Sequence, residues 1–231
     1  MPLDQQFDLG FGMVGDSFKH AGDAVLVPQS ESPNLNPHLP ASFLYRHAIE
    51  LFLKSGIIIF HRKLQLPFGD EPFDGEPKVP VNGKWKAMYT VHGLQDLYSY
   101  FRSLFANHAS YLSQHTRTNW TFPPELDKWI AEIEATDSTS TFFRYPITKH
   151  RKEDRNKSIN KAGNFEEMLA GIGNASKPLK AFLVVNENDE VVKAFQYDSD
   201  LAKSMTEMLR NAADQLYGCH AAMRWELTGG W

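Results

Sequence analysis

The sequence predicts a mainly α fold: an up-and-down bundle of four to five helices with a small β-hairpin before the last helix. Three observations predict it. Long segments repeat apolar residues at helical spacing. Stretches dense in proline and glycine separate those segments. One stretch, AFLVVNENDEVVKAFQY, is instead β-branched on both sides of a polar turn.

A short first helix is expected over residues 16–27, where Phe18, Ala21 and Val25 share a face and Asp16 or Ser17 can cap. The proline-rich stretch PQSESPNLNPHLP reads as a loop. A long second helix follows over residues 40–64, with Leu44, Ala48 and Leu51 in period and Pro40 in its first turn. PFGDEPFDGEPKVPVNGKW reads as a second long loop. A third helix begins near His92, and Leu94, Leu97, Tyr98, Phe101, Leu104 and Phe105 form its apolar stripe. FPPELDKWIAEIEATD is the fourth, started by two prolines and buried through Leu126, Trp129, Ile130 and Ile133. NFEEMLAGIG suits one or two helical turns. The hairpin turns at residues 186–189 and must pack on helices, because an isolated hairpin is marginal in water. The last helix spans residues 199–225, with Asp198 or Ser199 as its cap. The organisation expected is one domain over residues 1–231. Residues 1–36 would be an extension carrying a short helix, and residues 181–198 a hairpin insertion.

A single domain of 231 residues buries enough surface to need neither metal nor disulfide. The net charge of −4 excludes a polycation, so any nucleic-acid site must be a local patch. A lone cysteine, Cys219, rules out an internal disulfide and fits a reducing compartment. Cys219 falls on the apolar stripe of the last helix, a core position. The opening MPLDQQFDLG lacks a basic run followed by an apolar one, and GIIIF is far short of the ~20 apolar residues of a membrane span. The expectation is a soluble cytoplasmic protein with no membrane partner.

The second helix poses the main question. Within FLYRHAIELFLKSGIIIF, the residues Arg46, Glu50 and Lys54 line one face at i, i+4, i+8, with His47 beside them. Charges inside an apolar helix are costly unless paired. Glu50 can pair with Arg46 and Lys54 on its own helix, or meet His92 or Arg144 across the bundle. Two readings follow: a polar cleft that binds a ligand, or a structural network that fixes helix register.

FLYRHAIELFLKSGI closely resembles the "LxRHAxELxLKxxI" helix of HEPN-type domains. VHGLQDLYSYF resembles the start of the next helix in that group, and FFRYP resembles a phrase that follows in many of its members. Order and spacing of the three agree, over about half the chain. The resemblance implies an all-α up-and-down bundle that often pairs as a homodimer. It also implies RNA or a nucleotide as ligand. Some members are metal-independent RNases, often toxins or defence proteins, and others only bind. Catalytic members carry an arginine, a polar neighbour and a histidine a few residues on.

Two stretches place His six positions after Arg: RSLFANH, from Arg102 to His108, and RYPITKH, from Arg144 to His150. An imidazole can move the 2′-hydroxyl proton, and a guanidinium can stabilise phosphorane charge. Random scatter gives about one such match, and Ser103 and Tyr145 stand where catalytic members prefer Asn, Asp or His. Arg144 and His150 are the preferred pair, because a basic segment surrounds them. Residues 144–161 carry seven basic side chains against two acidic ones, a net +5. Lys149, Arg151, Lys152 and Arg155 form the basic loop. Such a segment binds phosphate by counterion release, with Phe142, Phe143 and Tyr145 available to stack bases; it also suits a solvated loop that aids solubility. His92 is a further candidate, or a plain helix cap. GFGMVG has dinucleotide-binding spacing but lacks the strand before it. No zinc-type cluster and no phosphate-binding P-loop occurs, so no metal and no cofactor are expected. Three functions remain open: an RNA- or nucleotide-binding HEPN-like protein, a metal-independent endoribonuclease, and a dimerising interaction module.

Overall fold

The helix that carries the charged stripe, α2 (His38–Leu64), is buried on every side from Ala41 to His61 apart from a few half-exposed positions. A helix apolar all round belongs inside a helical cluster, and the neighbours of α2 are helices. Along it lies α1 (Phe11–Leu26). Across it pack α3 (Leu94–Asn107), α5 (Pro124–Asp137) and the last helix, α7 (Asp200–Thr228). A short α4 (Ala109–His115) extends α3 beyond His108. The core joins Tyr45, Phe52, Ile57 and Phe60 of α2 to Leu97, Phe101 and Phe105 of α3, to Ile130 of α5 and to Leu216 of α7.

This computed structural model describes residues 2–27, 36–148, 154, 157–158, 160–171, 180–197 and 200–230. They fall into two units, Met1–Tyr145 with Met205–Trp231, and Pro146–Ser204. In the second unit, β4 (Lys180–Val185) and β5 (Val191–Tyr197) form the antiparallel hairpin, and Asn186 and Asp189 shape its turn. A third strand, β3 (Asn160–Gly163), pairs with β5 on its other edge. A short α6 (Phe165–Gly171) follows β3.

The mainly α expectation holds. The finer count does not: there are seven α-helices and two small sheets among the described residues. The stretch read as a long loop holds β1 (Lys78–Val81) and β2 (Lys84–Ala87), joined by Asn82 and Gly83. Both turn residues have positive φ, 51° and 74°, as a two-residue hairpin turn of matching twist requires. Val79 and Val81 bury one face of that hairpin.

The first helix starts five residues earlier than expected, at Phe11, so GFGMVG is mostly helical. Its glycines are there for packing. A Cβ on Gly12 would overlap the His220 imidazole, one on Gly22 would sit 2.8 Å from the Tyr45 ring, and one on Gly15 would press on Phe52. The glycine face lets α1 approach α2 and α7 closely. Gly12→Ala is therefore expected to destabilise by about 1–3 kcal/mol in urea unfolding, despite the better helix propensity of alanine. Gly218→Ala, where nothing lies within 4 Å of the new methyl, should stabilise by up to about 1 kcal/mol. Equal effects at the two sites would remove the packing account.

Candidate functional site

Arg46 is one turn before Glu50 on α2, and Glu50 one turn before Lys54, so the three side chains stack along one helix face. That face points inward. Arg46 and Glu50 are 1% exposed and Lys54 is 2% exposed. Glu50 Oε1 accepts from Lys54 Nζ at 2.7 Å and from His92 Nδ1 at 3.0 Å, while Oε2 accepts from Arg46 Nη1 at 3.2 Å. Burial alone would raise the Glu50 carboxyl. The Lys54 charge, hydrogen bonds from Lys54 and His92 and the Arg46 charge outweigh it and hold the group below the usual carboxylate range.

The Arg46 guanidinium reaches two further elements. Nη2 donates to the carbonyl of His92 at 2.8 Å, just before α3, and to the carbonyl of Asp137 at 3.3 Å, at the end of α5. A cation on the last carbonyls of a helix meets the negative end of its dipole. The Asp137 carboxylate lies 3.1 Å from Nε, close enough for an ion pair but not aligned as a hydrogen bond. Its other oxygen, Oδ1, accepts the backbone N–H of Thr141 at 2.7 Å and of Phe142 at 2.9 Å. Two cations and two carboxylates thus balance in a volume closed to water. His92 alone reaches the surface, with its side chain 53% exposed.

Asp137 was not among the sequence candidates. A signal existed: a carboxylate on the last helical residue opposes the helix dipole, and the Ser-Thr-Ser that follows is turn chemistry. Nearby, Glu134 accepts the N–H of Leu94 at 2.8 Å and so caps α3 from another helix.

The remaining candidates separate from this cluster. Arg144 is exposed, and among the described residues no carboxylate pairs with it. Its guanidinium lies over the Phe43 ring, 5.6 Å from the centroid. His47, half-buried on α2, stacks parallel to Phe43 with centroids 6.2 Å apart and meets Phe18 edge-on at 4.5 Å. Burial pushes the His47 imidazole below its ordinary 6.5. The positive charges of Lys54, Arg46 and Arg144 add to that, against Glu50. At pH 7 the ring is neutral, a proton acceptor beside a cation. Tyr145 is about half-exposed next to Arg144.

His150, Lys149, Arg151, Lys152 and Arg155 lie outside the described residues. Within the basic segment, Lys157 is buried and pairs with Asp154 at 2.6 Å, so one of its seven charges is already neutralised; Lys161 is exposed. The other Arg/His pair, Arg102 and His108, lies at the end of α3. Arg102 is held by the Tyr98 hydroxyl and the Phe122 face, and His108 sits beside Phe60.

A Ser, a His and an Asp also meet in the core. Ser55 donates to Asp8 Oδ2 at 2.6 Å, and His220 Nε2 lies 3.3 Å from the same oxygen. The carboxylate stands between hydroxyl and imidazole, so no imidazole reaches the hydroxyl, and the carboxylate, held far below its usual range, is too weak a base to activate it. This set joins α1, α2 and α7 rather than forming a nucleophile. Burial pushes the Cys219 thiol up to about 12, which makes it unreactive at neutral pH. Among the described residues no group of three His, Cys, Asp or Glu side chains is arranged to hold a metal, and no helix is long and apolar enough to cross a membrane.

Glu50→Leu would leave Arg46 and Lys54 buried with one carboxylate between them. A loss of about 3–5 kcal/mol is expected, read by denaturant unfolding. Because the folded Glu50 is held below its usual value of 4.5, it stabilises the fold above that pH and ceases to as pH falls through its lowered value. Glu50→Gln should therefore lower stability at pH 7 and flatten its decline in acid. An unchanged acid limb in that variant would show that Glu50 does not supply it.

No family model, no curated protein and no solved structure matches this chain.

Proposed function

We propose that this chain is a HEPN-like up-and-down helical protein that binds RNA, or a nucleotide, through the surface around Arg144. The observation that carries the reading is Arg144 itself: an exposed guanidinium, braced on Phe43, with no acidic partner among the described residues. A guanidinium of this kind retains its donors for phosphate oxygens. Tyr145 beside it offers a face on which a base can stack. The basic segment that follows in sequence adds charge to an otherwise acidic chain. The cluster around Arg46 and Glu50 supports this role only indirectly, by fixing the helices; its charges are spent on one another. Pairing into a homodimer belongs to the same HEPN-like reading.

A specific observation favours a second reading, a metal-independent endoribonuclease of the defence or toxin type. A neutral imidazole, His47, shares the Phe43 ring with Arg144, which supplies a base and a charge stabiliser together. His150 remains the sequence-based alternative for the base.

Filter binding of labelled single-stranded RNA tests the first reading. Affinity should fall steeply with salt, and Arg144→Ala should weaken it by about tenfold and shallow the salt dependence by about one ion. RNA affinity unchanged by Arg144→Ala would remove the site. For the second reading, RNA is incubated with EDTA-treated protein. Cleavage lost in Arg144→Ala and in His47→Ala or His150→Ala supports it, and cleavage indifferent to all three refutes the assignment.

A further inference from the structure

A groove on the first unit shares no residue with the Arg144 surface. It measures about 660 Å³ and lies between the end of α3, the short α4 and the segment 116–122 that leads to α5. Its size falls in the range of small-molecule sites. Phe105, Trp120 and Phe122 give it aromatic walls, with the Trp120 and Phe122 ring centroids 5.5 and 4.9 Å from that of Phe105.

The two arginines in the lining each have an acid beside them. Arg102 Nη1 lies 3.6 Å from the Asp127 carboxylate and donates to the Tyr98 hydroxyl at 3.3 Å, with the guanidinium over the Phe122 ring. Arg117 stands against Glu226 of α7. That carboxylate accepts the Arg117 backbone N–H at 2.6 Å and the Thr118 hydroxyl at 2.6 Å. The Thr118 hydroxyl, the N–H groups and the Arg117 charge outweigh burial and hold the Glu226 carboxyl below its ordinary range. One acid thus answers each arginine, and the groove offers an anion no excess of positive charge. The same bonds fix the backbone of the wall before any ligand arrives, which lowers the cost of binding.

The donors and acceptors left over are neutral. The Thr121 hydroxyl donates to the Asn119 amide oxygen at 2.6 Å, which leaves the Asn119 amide N–H donors and the Thr121 lone pairs uncommitted among the described residues. The Ser113 hydroxyl donates to the Ser110 carbonyl at 2.9 Å and keeps its lone pairs. The Trp120 indole N–H is spent on the Thr116 hydroxyl at 2.7 Å, which sets the ring and leaves it only apolar surface to offer. Neutral donors and acceptors beside aromatic faces match a pyranose ring. Its hydroxyls both donate and accept, and its axial C–H groups form an apolar face that packs on an aromatic one. A wholly apolar ligand would leave the amide and hydroxyls unmatched. We propose that this groove binds a neutral pyranose sugar, with its C–H face against Trp120 and Phe122 and its hydroxyls at Asn119, Thr121 and Ser113. The site does not depend on RNA binding at Arg144.

Calorimetric titration of the full chain with glucose, cellobiose, lactose and sorbitol tests it. At least one of the three sugars should bind saturably, with a Kd of about 1 mM or below. Sorbitol, which carries the hydroxyls without the ring, should not bind. Sugar affinity should be the same at about 50 mM and about 500 mM salt, because no net charge is neutralised. For the same reason glucose 6-phosphate should bind no tighter than glucose. Asn119→Ala, at an exposed position, should weaken the sugar about fivefold. Ser113→Trp, also exposed, fills the groove and should abolish binding. Neither variant should shift thermal unfolding. No saturable binding of any of the three sugars at about 10 mM would overturn the assignment. So would equal binding of sorbitol, tighter binding of glucose 6-phosphate than of glucose, a steep fall of sugar affinity with salt, or sugar binding that survives both variants.

Discussion

The Arg46 guanidinium is the constraint on which the first unit depends. It sits on α2, hydrogen-bonds the carbonyl before α3 and the last carbonyl of α5, and faces carboxylates from two helices. An arginine only 1% exposed cannot remain unpaired, because the desolvation of an isolated ion outweighs any packing gain. Each neighbour must therefore stand where it does. Glu50 answers Arg46, Lys54 answers the second Glu50 oxygen, and Asp137 completes the balance while holding the turn that carries the chain toward Phe143. A planar fork with several fixed donors can join three chain segments in one register. Lysine, a point charge, cannot.

The same economy governs the other face of α2. There the neighbour is α1, brought close by glycines instead of held by ions. Close approach needs a polar solution as well, because α1 begins inside the core. Asp8 supplies it by accepting the N–H groups of Gly10 and Gly12 together with the Ser55 hydroxyl. The carboxylate thus serves the first turn of α1, where the helix dipole favours negative charge. Burial alone would raise this carboxyl, but contacts with His220, Ser55 and Gly12 overcome it and hold it far below the usual range. α2 is thus anchored on opposite sides by different chemistry, and the glycine spacing that mimics a dinucleotide fingerprint has a packing cause.

Much of this was legible in the sequence. The five long helices follow their apolar periodicity, and the Glu50 pairings with Arg46, Lys54 and His92 follow from helical spacing and cost of burial. The illegible parts share a reason. β1–β2 was hidden because proline and glycine density argued for a loop, although the Asn82–Gly83 pair carried the hairpin signal. β3, with the sequence NKAG, has no strand pattern of its own and exists only through its pairing with β5. Asp137 lies 91 residues from Arg46, and no local pattern announces a contact of that separation. Arg144 does not pair with Glu50, because three nearer donors saturate the acid.

Positive charge on this chain is divided between cations that hold the fold and cations that do not. Arg46, Lys54, Lys19 and Lys157 are each buried against carboxylates, and their charge is cancelled within a few ångströms. Arg144 is instead braced on the Phe43 ring, with its guanidinium exposed, while Arg102 lies over Phe122 and keeps only a partly exposed ion pair with Asp127 at 3.6 Å. Bracing on a ring keeps the plane oriented without neutralising it, whereas a carboxylate would do both. An acidic chain that keeps an arginine such as Arg144 in this state holds a local field of opposite sign to its total. Such a field acts over about a Debye length, roughly 10 Å at 0.1 M salt, so the patch attracts anions independently of the net −4.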